Sequence, residues 1–389
     1  MPTPKILFPI LTSQMSLITL IIFFLLLSSS HASSSPSRPP FKRIYAFGDS
    51  YTDTGNTKTS TGPTAFNYVS NPPYGVTFFH HPTNRYSDGR IVLDFVAEAL
   101  SLPFVPPYRN PRADRSHGVN FAVAGATAIR HGFFSKHNIT FNLVPQSLQT
   151  QLAWFDKILE SEGCKDSHTT PRECEAVLGD ALIWVGEIGA NDYTSSLGSS
   201  LSRKTIQALA INSVAGFLQA IMNKGAKYIV VQGLPSIGCI TYSFSLAAGD
   251  DDRDATGCVA TVNRLTWAHN AALEARLTAL RKRNPNSVIL YADYYNAHLE
   301  LLRNAAAYGF KERYKACCGY GGGAYNFDFF NVCGTPSATS CADPSSYINW
   351  DGAHFTEEVY KLMARSFLNG SHCSPPFHYL IARKVQSSA

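Results

Sequence analysis

Apolar positions along the chain follow two rhythms. Arg43–Phe47, Val119–Val123, Ala181–Val185, Tyr228–Val231 and Ser287–Tyr291 are short runs with the length and β-branched or aromatic content of buried strands. Between them, apolar residues recur at helical spacing. Ile91, Val92, Phe95, Val96 and Ala99 mark one face behind an N-cap at Ser87-Asp88, and Leu148, Leu152, Phe155 and Leu159 stripe a second helix. A third runs from about Thr205 to Lys224, with Gly225 as its C′ residue. A fourth spans Val259 to Asn284 and stops at Pro285, and Thr356 caps a last one that reaches Leu368.

Strands alternating with helices predict an α/β fold: a mainly parallel five-stranded sheet covered by helices on both faces. No linker interrupts the pattern, so a single domain is expected over 41–389. Ahead of it, Lys5, the apolar run Leu17–Leu27 and the small-residue site Ser30-His31-Ala32 read as a secretory signal peptide over 1–32. That run is too short to span a bilayer core of roughly 30 Å. The Ser/Pro tract 33–40 is expected to be a disordered leader.

Composition narrows the class. At 45% hydrophobic and 16% charged residues, the chain can bury a large core, which excludes intrinsic disorder. The net charge of +5 is scattered; its longest basic run is Arg281-Lys282-Arg283, so nucleic acid is not an expected partner. All nine cysteines lie beyond the signal peptide, as suits an oxidising compartment. Cys164/Cys174 and Cys239/Cys258 are near neighbours, whereas Cys317, Cys318, Cys333, Cys341 and Cys373 crowd the last third. An odd number leaves at least one thiol free or paired between chains. Asn138-Ile139-Thr140 and Asn369-Gly370-Ser371 are acceptor sequons, making Asn138 and Asn369 expected glycosylation sites. Secretion is the expected destination, with the vacuole left open.

In parallel sheets the chemistry gathers beyond the carboxyl ends of the strands. The first strand is followed by Gly48-Asp49-Ser50-Tyr51, where a serine can present its hydroxyl at the sheet edge, although ordinary turns use the same residues. The second leads to Ala124-Gly125-Ala126, whose glycine lets a backbone N–H approach an oxyanion. The third leads to Gly186-Glu187-Ile188-Gly189-Ala190-Asn191-Asp192, where the Asn191 amide could donate to the same charge. Asp351 precedes His354 by three residues, a spacing that lets a carboxylate hold an imidazole tautomer. Asp114 and His117 have that spacing too, so spacing does not choose between the pairs.

In this order, the four segments resemble the plant GDSL esterase/lipase family of the SGNH hydrolases, from about Arg43 to Leu368. The resemblance implies a three-layer α/β/α, flavodoxin-like fold and ester hydrolysis through an acyl-enzyme. It assigns the nucleophile to Ser50, the base to His354, its orienting acid to Asp351, and the oxyanion hole to Ser50, Gly125 and Asn191. The pattern Asp351-x-x-His354-x-Thr356 favours that pair over Asp114/His117. Tyr51 stands where the family has the leucine of its name, which puts the shape of the acyl pocket in question. No metal or organic cofactor is expected, and the expected partner is a small-molecule ester. Two other readings stay open: an acyltransferase using the same triad, and a secreted binding or defence glycoprotein without turnover.

Further features take structural readings. Tyr74, Phe78, Phe79, Phe133 and Phe134 are expected to cover core rather than line a substrate site. Gly319–Gly323 reads as a flexible, disulfide-rich loop, and Asp250-Asp251-Asp252 as a solvated turn.

Overall fold

Alternate residues of each central strand face opposite helical layers. In β1 (Arg43–Phe47), Ile44 and Ala46 enter one core while Tyr45 and Phe47 enter the other. The computed structural model describes residues 1–2, 39–59, 68–139, 144–164, 177–247 and 252–387. The expected signal peptide and most of the leader lie outside these residues, as do Asp250 and Asp251.

β2 (Gly118–Asn120), β3 (Ala181–Val185), β4 (Tyr228–Gln232) and β5 (Val288–Ala292) complete a parallel set. Two short strands, β6 (Glu312–Ala316) and β7 (Tyr347–Asn349), pair separately. The main sheet has six strands rather than the expected five: β8 (Cys373–Ser374) adds an antiparallel edge, giving the order β8-β5-β4-β3-β1-β2. Two residues are too short to leave a periodic signal. β2 is shorter than Val119–Val123: Phe121 and Val123 still donate to the Ala46 and Gly48 carbonyls, but the Ala122 N–H between them goes to the Asn120 side chain at 2.8 Å.

The helices are α1 (Val92–Ala99), α2 (His131–Lys136), α3 (Leu148–Ser161), α4 (Ala190–Ser195) and α5 (Arg203–Asn223). They continue as α6 (Thr241–Leu246), α7 (Ala260–Arg283), α8 (Tyr294–Arg303), α9 (Glu357–Leu368) and α10 (Phe377–Gln386). α1, α8, α9 and α10 pack on the face of Ile44, Ala46, Leu182, Trp184, Val230 and Leu290. α3, α5 and α7 cover the opposite face, against Phe47, Ile183, Val185, Val231 and Ile289. The result is the three-layer α/β/α sandwich. α5 is long and apolar enough to cross a membrane, but Ile206, Ala210, Val214, Phe217, Leu218 and Ile221 bury its apolar face in this second core.

Caps follow the sequence in part. Gly225, at φ +106°, follows α5 as expected, and Ser202 accepts the Thr205 N–H to start that helix. Ser87-Asp88 does not cap α1. Asp94 folds back to accept the Ile91 N–H at 2.9 Å, while Asp88 accepts the Glu357 N–H at 2.7 Å and so caps α9 from a distant segment. The Thr356 hydroxyl, expected as that cap, donates to the Tyr347 carbonyl instead.

Disulfides join Cys239–Cys258, Cys317–Cys341 and Cys318–Cys333. Cys164 is also disulfide-bonded, and its expected partner Cys174 lies outside the described residues. Cys373 is a free thiol, and burial pushes its pKa up to about 12.

Candidate active site

Ser50 stands in a tight turn at the carboxyl end of β1, where the Thr52 and Asp53 N–H groups both return to the Asp49 carbonyl. Gly48 enters the turn at φ +144°, and a Cβ there would lie 3.1 Å from the Glu187 carbonyl, so glycine is required. The buried Gln151 of α3 holds this glycine by both of its flanking peptide groups. Its Oε1 accepts the Gly48 N–H at 2.9 Å and its Nε2 donates to the Gly48 carbonyl at 2.7 Å.

His354 arrives from the other end of the chain, in the loop between β7 and α9. The Trp350 N–H donates to the His354 carbonyl at 2.7 Å, and Asp351 Oδ1 accepts the N–H groups of Ala353 and His354 at 3.0 and 2.9 Å. This curl sets the imidazole Nδ1 2.8 Å from Asp351 Oδ2, while Nε2 lies 2.7 Å from Ser50 Oγ. All three side chains are buried. Burial alone would raise the Asp351 pKa. The charge and hydrogen bond of His354, the Tyr74 hydroxyl and the Ala353 N–H outweigh it and hold the carboxyl below its usual range.

Two tyrosines complete this arrangement. Tyr74, expected to cover core, donates to Asp351 Oδ2 at 2.7 Å. Tyr51 is buried, and its ring lies 5.3 Å from the imidazole while its hydroxyl donates to the Ala353 carbonyl at 2.6 Å. It also packs edge-on to Tyr294, Phe355 and Tyr360. The residue in the leucine position thus braces the histidine loop from below. Of the other aromatics, Phe134 is core and Phe78 is exposed.

Gly125 turns at φ +76°, in a loop fastened by the Ala124 N–H to Asp53 and Thr57. The Asn191 amide nitrogen donates to Asp49 Oδ2 at 2.9 Å and to the Ala126 carbonyl at 3.1 Å. Its neighbour Asp192 accepts the Ala128 and Ile129 N–H groups, both at 2.8 Å, which ties α4 to the chain just past Gly125. The Gly125 loop and Asn191 are therefore one connected unit beside Ser50. Asp114 and His117 lie elsewhere, both exposed, with His117 Nδ1 bonded to the Lys42 carbonyl. Asn138 and Asn369 are exposed at the ends of α2 and α9.

A serine, a histidine and a carboxylate in register at the carboxyl edge of a parallel sheet, with helices on both faces, have the geometry of an ester hydrolase on an α/β/α sandwich. The chain belongs to the GDSL-like Lipase/Acylhydrolase family, which matches residues 44–367, and is a carboxylic ester hydrolase. It is 47% identical to a GDSL esterase/lipase of Arabidopsis thaliana, over 97% of this chain and 98% of that protein. It is 39% identical to a sinapine esterase of Brassica napus, over 95% of each. Among solved structures, it is similar to an acetylxylan esterase from Geobacillus stearothermophilus over 84% of this chain and 93% of that one, with 12% identity and a TM-score of 0.37.

Proposed function

We propose that this chain is a secreted serine esterase working through Ser50, His354 and Asp351. The observation that carries the reading is the 2.7 Å contact between His354 Nε2 and Ser50 Oγ, with Asp351 on the opposite ring nitrogen. Ser50 Oγ attacks the ester carbonyl as His354 takes its proton. Asp351 holds the tautomer and stabilises the imidazolium. The Ser50 and Gly125 N–H groups and the Asn191 amide bind the oxyanion. His354 then protonates the leaving alcohol, and water, activated by the same imidazole, hydrolyses the acyl-enzyme. Both N–H bonds of Asn191 are engaged before substrate arrives, so one must be shared with the oxyanion as it forms.

The disulfides support an oxidising compartment, and the exposed Asn138 and Asn369 suit N-linked glycosylation. The test is to purify the protein from a secreting host and offer short-chain, long-chain and phenolic esters, sinapine among them. Release of free acid, with fluorophosphonate labelling that Ser50→Ala abolishes, supports the reading. A folded parent that neither labels nor hydrolyses any ester overturns it.

A further inference from the structure

One buried carboxylate close to the serine belongs neither to the triad nor to the oxyanion hole. Asp53 follows Ser50 by three residues, and its N–H returns to the Asp49 carbonyl at 2.9 Å within the same tight turn. Its side chain is fully buried. Oδ1 accepts the Gly55 and Asn56 N–H groups at 2.7 and 2.6 Å. Oδ2 accepts the Thr57 N–H at 3.1 Å, the Thr57 hydroxyl at 2.5 Å and the Ala124 N–H at 3.1 Å. Burial raises the Asp53 pKa, and the bonds from Thr57, Gly55, Asn56 and Ala124 oppose that rise.

The donors on Gly55, Asn56 and Thr57 hold the loop that begins at the nucleophile. The Ala124 N–H comes from 71 positions away, in the segment after β2. There the Ala126 N–H donates to the Val123 carbonyl at 3.0 Å, which closes a turn, and Gly125 in its third place has the positive φ of a type II turn, +76°. The Gly125 N–H belongs to the central peptide of that turn, so the seat of the turn decides where this N–H points. Thr57 Oγ1, which donates to Asp53, also accepts the Ala124 N–H at 3.1 Å. Asn56 Nδ2 donates to the Asn120 and Ala122 carbonyls, both at 2.8 Å, and laces the two segments together ahead of the turn.

We propose that Asp53 is a positioning residue for the oxyanion hole: its carboxylate ties the turn of Gly125 to the turn of Ser50 and so fixes the Gly125 N–H against the serine hydroxyl before substrate arrives. The inference rests on the roles given above to Ser50 and Gly125. The place demands two acceptor oxygens. An asparagine has one acceptor end and one donor end. Either orientation would turn its NH₂ toward two N–H groups, those of Gly55 and Asn56 or those of Thr57 and Ala124. A misplacement of about 1 Å can cost about a hundredfold in rate. It would fall on the transition state, where the oxyanion exists, rather than on binding of the neutral ester.

The test compares the parent with Asp53→Asn in three ways: ester hydrolysis, inhibition by a boronic acid, and amide exchange over residues 121–127 read by mass spectrometry. The boronic acid forms a tetrahedral adduct on a serine and sets an oxygen in the oxyanion hole. In the variant, kcat should fall roughly ten- to a hundredfold with KM little changed. Affinity for the boronic acid should fall by a similar factor, and the 121–127 amides should exchange faster. A folded variant whose kcat falls while boronic-acid affinity holds has its defect outside the oxyanion hole and overturns the proposal, as does a variant as active as the parent. Should Asp53→Asn fail to fold, Thr57→Val keeps the carboxylate and removes the hydroxyl between Asp53 and Ala124. It should lower kcat and boronic-acid affinity together by about three- to tenfold, the effect of one hydrogen bond; unchanged values overturn the proposal. A parent that neither hydrolyses an ester nor binds the boronic acid fails the esterase reading. Exchange still tests the tie in that case, because 121–127 amides that exchange alike in parent and variant overturn it.

Discussion

Tyr74 donates its hydroxyl to Asp351 Oδ2 at 2.7 Å, the same oxygen that lies 2.8 Å from His354 Nδ1. The acid that orients the imidazole is therefore itself oriented from the far side, by a residue 277 positions away in sequence. Both side chains are buried, so water cannot replace that bond.

Tyr74→Phe removes one hydrogen bond to a buried carboxylate, worth about 1.5–3 kcal/mol. We expect kcat to fall about tenfold or more, with KM nearly unchanged in steady-state hydrolysis. The same variant bears on acid stability. The folded pKa of Asp351 is depressed, so the group adds stability above its unfolded value, about 3.9, and loses it as pH falls through the folded value. Without the Tyr74 hydroxyl that loss begins at higher pH, which Tm measured between about pH 2 and 6 will read.

Under the proposed mechanism, Asn191→Ala removes one oxyanion donor and should cost about a hundred- to a thousandfold in kcat. Ser50→Ala should abolish both turnover and fluorophosphonate labelling. An Asn191→Ala enzyme that turns over at the parental rate would remove Asn191 from the mechanism.

Tyr51→Phe leaves the buried rings in place but deprives the Ala353 carbonyl of its donor, and should destabilise the fold by about 1–2 kcal/mol in urea titrations. Tyr51→Leu, which restores the residue of the family name, also opens a void among Tyr294, Phe355 and Tyr360, and should cost about 3–5 kcal/mol.

Burial raises the Asp192 pKa to about 7, against the pull of the Ile129 and Ala128 N–H groups. The folded value lies above the unfolded one, so the native state binds the extra proton. Its contribution is complete below about pH 4 and is lost as pH rises through about 7. Asp192→Asn does not titrate. The Tm advantage of the parent over this variant should therefore shrink by a few degrees between about pH 4 and 8.

The four longer strands and the helices α1, α3, α5, α7 and α9 were legible because strands buried on both faces and helices with one apolar stripe leave local patterns, whereas the short α2, α4 and α6 and the helices α8 and α10 were not read. The serine, glycine, asparagine and histidine segments were legible as turns that follow strands. Spacing could not separate Asp351-His354 from Asp114-His117, since both pairs are three residues apart and differ in their neighbours and in burial. Tyr74, Gln151 and Asp88 were not legible. Each meets its partner across 277, 103 and 269 positions respectively, and a long-range hydrogen bond leaves no periodic trace in sequence. The two-residue edge strand and the helix after it escaped for a related reason: only pairing with β5 gives that strand its form.

Asp88 reaches across to the first peptide of α9, and Arg90 pairs with Glu357 beside it, so an early segment is clasped to a late one just behind His354. A ribosome thus finishes nearly the whole chain before the serine meets its imidazole. Under the proposed mechanism, products cut short ahead of Asp351 would carry an inert hydroxyl, and hydrolytic competence would arrive only with the last stretch of polypeptide.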